Sequence, residues 1–180
     1  MTIYTIGHST RTTAELASLL REAGVDLLVD VRSIPRSRTN PQFNRDMLPQ
    51  ALSQEGIGYH YIGALGGRRH SARGAPPSPN TYWQNTSFRA YADYTATDAF
   101  RAGLDELCGL AQKHTCAIMC AEAVWWRCHR RIITDYLLAR GIPVRHIMGL
   151  NHIDPASPTP AAHPLPSGTI VYPPERAASS

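Results

Sequence analysis

The stretch that decides the fold is residues 116–140, which reads CAIMCAEAVWWRCHRRIITDYLLAR. Its first five residues are apolar and predict a buried strand, and the residues from Ile132 onward have the periodicity of a helix. The turn between them holds two thiols, a carboxylate, an imidazole and several guanidinium groups. Ligands of an open α/β sheet bind at the carboxyl ends of its strands, and a helix start attracts anions. This turn therefore predicts a binding or catalytic site.

Outside this stretch the chain alternates between strand and helix patterns. The predicted strands are residues 3–6, 27–31, 59–62, 117–119 and 144–148. The predicted helices are residues 12–23, 46–55 and 88–112 (one long helix or a pair), with a last helix after residue 127. Such alternation is typical of parallel sheets. We therefore predict an α/β fold, a three-layer sandwich in which a mainly parallel sheet of about five strands has helices on both faces.

Two segments lie outside this alternation. Residues 66–80 form a loop rich in Gly, Pro and Arg, and loops of that length are usually functional or disordered. The chain beyond residue 153 is rich in Pro, Ala and Ser, so we expect it to wrap the surface or stay mobile, with one strand-like piece at 169–172. The predicted organisation is thus one α/β domain over residues 1–153 and a C-terminal tail over 154–180.

Composition and charge narrow the class of protein. With 180 residues, 43% of them hydrophobic and 18% charged, the chain has the composition of one globular domain. The formal net charge is +4, and Lys113 is the only lysine, so arginine supplies nearly all the positive charge. No export signal is recognisable and no apolar run is long enough to cross a membrane, so we expect no membrane partner. Four cysteines without such a signal predict reduced thiols and a cytoplasmic location.

Polar residues gather after the predicted strands, whereas the opposite strand ends carry ordinary turns. Because parallel strands end at one edge of the sheet, these residues should converge on one cleft. At the start of the last helix, the positive helix end and nearby arginines should lower the pKa of Cys128. The candidate catalytic residues are Glu122, Cys128, Cys120 and His8. The candidate residues for holding an anionic ligand are Ser9, Arg32, Arg36, Gly66, Gly67, Arg68, His129 and Arg130.

Several of these residues have a purely structural alternative. Arg32 can pair with Asp30, the Gly66-Gly67 pair can supply positive φ angles to a turn, and Cys120 can be a buried apolar residue. The spacing of Cys120 and Arg127 is one residue longer than the loop of thiol phosphatases and sulfurtransferases requires. A soft metal site is a further alternative, with the ligands His8, Cys120, Cys128 and His129.

Five blocks in the same order resemble the family of domain of unknown function 488. They are residues 5–9 (TIGHS), 30–37 (DVRSIPRS) followed by Phe43, 65–67 (LGG), 119–122 (MCAE) with 128–130 (CHR), and 144–147 (VRHI). The resemblance implies a Rossmann-like layout and a site at these blocks, without implying a reaction. One departure is Trp125-Trp126-Arg127, where smaller or acidic residues are expected.

The residues favour an enzyme that acts on a phosphate-bearing or nucleotide-like anionic ligand. A transferase or a hydrolase is the favoured reaction class, and a thiol-dependent reaction is compatible with both. Two alternatives remain: a nucleic-acid-binding accessory protein that uses the arginines of residues 68–73, and a metal-dependent enzyme with Cys and His ligands. The motifs do not identify a cofactor.

Overall fold

The computed structural model describes residues 1–71 and 73–175, and a six-stranded sheet forms its centre. The strands are β1 Ile3–Gly7, β2 Leu27–Asp30, β3 Gly58–Tyr61, β4 Cys116–Cys120, β5 Val144–Gly149 and β6 His152–Pro155. The helices are α1 Thr13–Glu22, α2 Leu48–Ser53, α3 Thr86–Tyr94, α4 Asp98–Ala111 and α5 Arg130–Ala139. A separate two-stranded ribbon consists of β7 His163–Pro164 and β8 Ile170–Val171. The prediction of an α/β fold with a mostly parallel sheet is confirmed.

The order of the strands brings the polar blocks of the sequence together. The sheet runs β3-β2-β4-β1-β5-β6, in which the first five strands are parallel and β6 is antiparallel to β5. In the register of the sheet Gly7 lies beside Cys120, and Asp30 lies beside Met119. The carboxyl ends of β1, β4 and β2 are therefore adjacent and level, so the loops that follow them share one edge.

Alternation along the strands divides the interior into two cores, one on each face of the sheet. Leu28, Ala117 and Met119 belong to the core that holds the buried residues of α1 and α2. Val29 and Ile118 belong to the core that holds those of α3, α4 and α5. The central strands β2 and β4 are thus covered on both faces, which explains why each is buried along its whole length.

Local sequence signals account for most of the element boundaries. Thr12 and Glu15 form the predicted capping box of α1, and Gly24 follows this helix with φ 75°. The predicted segment 88–112 is a pair of helices, because the Thr97 side chain caps a second helix at the backbone N–H of Phe100. In α2 the proline lies in the first turn, where its missing N–H breaks no helical hydrogen bond.

The chain after β5 contributes more structure than its composition indicated. β6 crosses the predicted boundary at residue 153 and pairs with β5, which adds a sixth strand to the sheet. Tyr172 is fully buried, and its hydroxyl donates to the Asp135 carboxylate at 2.7 Å. The division at residue 153 stays a prediction. No helix among residues 1–71 and 73–175 is long and apolar enough to cross a membrane.

Candidate active site

A cleft of about 400 Å³ opens at the shared edge of β1, β2 and β4. Its floor holds the thiols of Cys120 and Cys128, and its walls come from the loops after these strands and from α3. The residues that line the cleft are His8, Arg32, Ser33, Ile34, Arg36, Ser37, Gly67, Arg68, Ser87, Phe88, Tyr91, Cys120, Ala121, Glu122, Arg127, Cys128 and His129. Arginine, thiol, carboxylate and imidazole groups thus line one open cleft, together with apolar residues.

The two thiols at the floor are in direct contact. The Sγ atoms of Cys120 and Cys128 lie 3.0 Å apart, and neither thiol belongs to a disulfide. Cys120 ends β4 and is buried, whereas Cys128 is half-buried and precedes α5. A short 3₁₀ turn at Trp125–Arg127 reverses the chain and places the Cys128 sulfur in contact with that of Cys120. Of the two sulfurs, that of Cys128 is the more accessible from the cleft.

The Arg130 side chain lies behind the thiols and is 1% exposed. Its Nε is 3.1 Å from the Sγ of Cys120 and 3.1 Å from the Sγ of Cys128. Its Nη atoms donate to the Thr5 hydroxyl at 3.0 Å and to the Glu122 backbone carbonyl at 2.7 Å. Among the described residues, no carboxylate forms an ion pair with this guanidinium. Because arginine keeps its charge and a buried charge needs a counter-charge, the sulfurs are the groups that can supply it.

The environments of the two thiols move their pKa values in opposite directions. At Cys128 burial favours the neutral thiol, but the hydrogen bond from Cys120, the Arg130 charge and His129 outweigh burial and bring the pKa well below its usual range. The backbone N–H of Arg130, at the start of α5, also points at this sulfur over 3.3 Å. At Cys120 burial, and then the neighbouring Cys128, raise the pKa well above its usual range. The arrangement favours a Cys128 thiolate that accepts a hydrogen bond from a protonated Cys120.

The second buried arginine, Arg32, has a carboxylate partner. It is 6% exposed, and its Nε and Nη2 donate to the two oxygens of the fully buried Asp30 at 2.9 and 2.7 Å. Nη2 also donates to the Phe43 carbonyl at 2.7 Å, and the Tyr59 hydroxyl donates to Asp30. Arg32 therefore pairs with Asp30, which is the structural alternative that the sequence offered for it. Its Nη1 is the part of the side chain that is directed to the cleft, where it lies 3.4 Å from the Nε2 of His8.

His8 is a neutral imidazole in this setting. Burial lowers its pKa, and the nearby Arg32 charge adds to that effect against the hydrogen bond to Ser9. Its Nδ1 lies 2.8 Å from the Ser9 carbonyl, which only a protonated nitrogen can approach as a donor. The ring also stacks on Phe43 with 4.3 Å between centroids. The Nε2 at the cleft is consequently an acceptor.

Three glycines allow the backbone to approach closely around the cleft. A Cβ atom on Gly7 would lie 1.8 Å from the Glu122 carbonyl, and one on Gly67 would lie 2.5 Å from the Nδ1 of His129. A Cβ atom on Gly66 would lie 2.6 Å from the Oγ of Ser33. Neither Gly66 nor Gly67 has a positive φ angle, so the turn explanation for this pair is wrong. Glycine is needed at both positions because a side chain would not fit there.

A hydrogen-bonded chain extends from the thiols into the sheet. The oxygen of Thr5 accepts from Arg130, so its proton is directed to the Nδ1 of His146 at 2.6 Å. The ring of His146 stacks on Trp125 with a centroid distance of 4.5 Å and an angle of 6°. Burial, followed by the Arg130 charge, lowers the pKa of His146 to about 4. Trp125 is therefore used for packing, while Trp126 is exposed.

The structure brings most of the sequence-predicted residues to the cleft. Those that line it are His8, Arg32, Arg36, Gly67, Arg68, Cys120, Glu122, Cys128 and His129. Three predicted residues do not line the cleft: Arg130 lies beneath the thiols, Ser9 has φ 49° and its carbonyl accepts the His8 hydrogen bond, and Gly66 packs against Ser33. The functional roles of the lining residues stay predictions.

The proposed metal ligands do not converge. Within the described part of the chain, no group of three or more His, Cys, Asp or Glu side chains is placed to hold a metal ion. The set His8, Cys120, Cys128 and His129 is divided, because the Nε2 of His129 lies 2.7 Å from the Val31 carbonyl and the Nε2 of His8 faces Arg32. The prediction of this ligand set is wrong.

Sequence reasoning missed the residues that shape the cleft. Phe88 and Tyr91 of α3 form part of its apolar wall, and Ser87 adds a hydroxyl group. Arg127 also lines the cleft and is exposed. Arg127 lies within residues 116–140, the stretch that predicts the site, so the sequence could have identified it as a site residue. No such signal existed for α3, because this helix lies beside no strand end in the sequence and reaches the cleft only through the fold.

These features define an α/β protein whose cleft, at the carboxyl edge of a mostly parallel sheet, contains a thiol pair and a buried arginine. The model of the family described as domain of unknown function DUF488 matches residues 12–137. The chain belongs to this family, as the resemblance of its sequence blocks indicated. Among curated proteins and among solved structures, no match to the chain was found.

Proposed function

We propose that this protein is an enzyme that binds an anionic, phosphate-bearing ligand in the cleft and attacks it with the Cys128 thiolate. The observation that carries the proposal is the sulfur of Cys128, a half-buried residue that lines the cleft, 3.1 Å from a buried guanidinium that has no carboxylate partner among the described residues. A thiolate is the nucleophilic form of cysteine, and it sits here on the floor of a cleft large enough for a small ligand. The sheet order, with ligand loops at adjacent strand ends, supports a Rossmann-like layout.

The charge at the rim supports an anionic ligand. Arg36, Arg68 and Arg127 all line the cleft and are exposed, so their guanidinium groups can contact a ligand without breaking a buried ion pair. Guanidinium groups bind phosphate and carboxylate through paired hydrogen bonds. Phe88, which is half-buried on the wall, suits a planar group such as a base, which is why a nucleotide is the ligand we favour.

Glu122 is the group that we assign to proton transfer. It lines the cleft and is exposed, and within the described residues its carboxylate forms no ion pair or hydrogen bond. In the proposed reaction the sulfur of Cys128 forms a bond to the electrophilic atom of the ligand, and the leaving group takes a proton from Glu122. Water or a second substrate then attacks the covalent intermediate, which breaks its bond to sulfur and releases the Cys128 thiolate, while the Glu122 carboxylate accepts the proton of the attacking group. If water is the acceptor, the protein is a hydrolase; if a second substrate is the acceptor, it is a transferase.

Calorimetric titration with inorganic phosphate and with a nucleoside monophosphate tests the ligand class. Arg36→Ala should weaken binding by about tenfold, because a charge-assisted hydrogen bond contributes about 1.5–3 kcal/mol. Arg38→Ala is the matched control, since Arg38 is exposed two residues away and does not line the cleft. Equal binding by the wild type and the Arg36 variant would contradict the proposed anion site.

Alkylation tests the nucleophile. Labelling with iodoacetamide between pH 5 and 9, read for each cysteine by mass spectrometry, should show Cys128 reacting at a lower pH than Cys108 or Cys116. Burial raises the pKa of Cys116 to about 11, so this thiol provides the unreactive reference. If Cys128 is labelled no faster than Cys116 at pH 7, the nucleophile assignment is wrong.

A nucleic-acid-binding accessory protein is the second candidate function. The observation that favours it is the exposed loop that carries Arg68, His70 and Arg73 on a chain of net charge +4. Arg69 does not take part, because its guanidinium donates to the carbonyls of Gly63 and Gly66. Single-strand binding that falls steeply with salt and is lost in Arg73→Ala, with phosphate binding in the cleft unchanged, would favour this candidate. The four free thiols support a reducing, cytoplasmic location in either case.

A further inference from the structure

Beyond the proposed reaction, we propose that Cys120 and Cys128 form a reversible dithiol–disulfide couple that exchanges electrons with small thiols and disulfides. The two Sγ atoms are 3.0 Å apart, so forming the bond between them requires little movement. Both cysteines line the cleft, but Cys120 is buried and Cys128 is only half-buried, which divides the roles of attacking and resolving thiol. The inference shares the Cys128 thiolate with the proposed function but does not depend on a phosphate ligand.

The exchange balances in two steps. The Cys128 thiolate attacks a small disulfide RSSR, which forms a Cys128–SR mixed disulfide and releases RS⁻. The thiol of Cys120 then gives its proton to that departing thiolate, and its sulfur attacks the Cys128 sulfur and releases a second RS⁻, which takes a proton from water. Overall, one RSSR and the dithiol give one protein disulfide and two RSH. The two electrons pass from the protein to the small disulfide, and excess RSH reverses both steps.

Arg130 is placed to assist the transfer between the sulfurs. Its Nε is equally distant, 3.1 Å, from both Sγ atoms, so negative charge can pass from one sulfur to the other without any movement of the guanidinium. In the disulfide form the guanidinium loses this counter-charge, because no carboxylate of the described chain forms an ion pair with it. The dithiol form is therefore the stabilised one, and the disulfide should be a readily reduced, oxidising one.

The first experiment incubates the full chain with glutathione disulfide as the probe and follows the products by mass spectrometry. The wild type should lose two hydrogen atoms, and digestion should yield a peptide pair that links Cys120 to Cys128. Cys120→Ser should stop at a glutathione adduct on Cys128, and Cys128→Ser should show neither product. Cys108→Ser is the control, since Cys108 is half-buried far from the pair in the sequence and should not alter the product.

A wild-type protein that accumulates a stable glutathione adduct on Cys128, without the Cys120 link, would overturn the inference. That result requires no variant and would leave the nucleophile of the proposed function intact. Conversely, a complete Cys120–Cys128 link in a protein that binds no phosphate would support the couple and contradict the proposed ligand.

The second experiment measures the equilibrium between dithiol and disulfide in glutathione redox buffers. Arg130→Met should raise the ratio of disulfide to dithiol by roughly tenfold at the same buffer potential, because the charge-assisted contact that stabilises the dithiol is lost. Arg131→Met is the matched control, since its guanidinium contacts the Thr159 hydroxyl. A ratio that is unchanged, or lower, in Arg130→Met would contradict the assigned role of the guanidinium.

Discussion

Two buried arginines stand at neighbouring strand ends of this protein, and they are neutralised in different ways. Arg32 follows β2 and forms a two-pronged ion pair with the buried Asp30. Arg130 begins α5 beside the end of β4 and contacts two sulfurs, a hydroxyl and a carbonyl. Both side chains are buried, Arg32 with 6% and Arg130 with 1% of its surface exposed, so both charges need a negative partner.

The difference lies in the partner. Arg32 is held by both oxygens of the Asp30 carboxylate, and this pair shapes the wall of the cleft. A thiol has an ordinary pKa of 9.0, so Cys128 becomes charged only through its surroundings, where the hydrogen bond from Cys120, the Arg130 charge and His129 together lower its pKa. One buried arginine therefore stabilises structure, and the other helps to generate a reactive group. The following predictions test that contrast, beginning with the largest expected effect.

Arg32→Met should lower the free energy of unfolding by about 3–5 kcal/mol, because it leaves the fully buried Asp30 carboxylate without its counter-charge. Urea denaturation at pH 7 measures this effect. The double variant Asp30→Asn with Arg32→Met should recover part of the loss, since it removes both charges. A loss below about 1 kcal/mol in the single variant would mean that the pair is not the structural element described here.

Arg130→Met should destabilise less than Arg32→Met does, since Cys128 can take up a proton once the guanidinium is gone. The main effect should be on reactivity: the pKa of Cys128 should rise, and alkylation at pH 7 should slow by about tenfold for each unit by which that pKa comes to exceed 7. The rate of iodoacetamide labelling measures it, with Arg131→Met as the control. Unchanged labelling in the Arg130 variant would show that the thiolate does not depend on this arginine.

The thiolate should also make stability depend on pH. The folded pKa of Cys128 lies below its ordinary value of 9.0, so the unfolded chain binds more protons in the interval between the two. The stabilisation is fully present above the ordinary value and is lost as the pH falls through the folded pKa, at no more than about 1.4 kcal/mol per pH unit. The difference in unfolding free energy between the wild type and Cys128→Ser should therefore grow as the pH rises toward 9.

Cys108→Ser is the control for this pH series, and its difference from the wild type should change much less. Cys120 does not obscure the effect below pH 9, because its raised pKa keeps it protonated in the folded chain. A difference for Cys128→Ser that stays constant from pH 6 to 9 would contradict a thiolate in the folded protein.

His146→Phe should have the smallest effect at neutral pH, about 1 kcal/mol, because it keeps a ring against Trp125 but leaves the Thr5 hydroxyl without its acceptor. The folded pKa of His146, about 4, lies below the ordinary 6.5. The stabilisation from the neutral ring is thus present above 6.5 and is lost as the pH falls toward 4. Urea denaturation at pH 8 and pH 5 should show the difference shrinking and then reversing. An equal loss at both pH values would contradict the neutral buried ring.

Much of the fold follows from short-range patterns in the sequence. The capping box at Thr12, the stop at Gly24 and the apolar run of β4 predict their elements because each signal acts within a few residues. Strand β6 and the buried Tyr172 escaped prediction, because their stability comes from pairing with β5 and from a hydrogen bond to Asp135. The sequence of this segment, rich in proline and alanine, does not reveal that β5 and Asp135 are its partners.

The sequence by itself determined that Cys120, Cys128 and Arg130 stand close to one another between a strand and a helix, because covalent proximity requires no fold. It also determined that the polar residues follow strands, and parallel strands end at one edge. Only the tertiary structure decided which side of the thiols Arg130 occupies, that Asp30 neutralises Arg32, and that Tyr91 completes the cleft. The physical reason is that burial and pairing of charges depend on groups far apart along the chain, and these meet only when the sheet has formed.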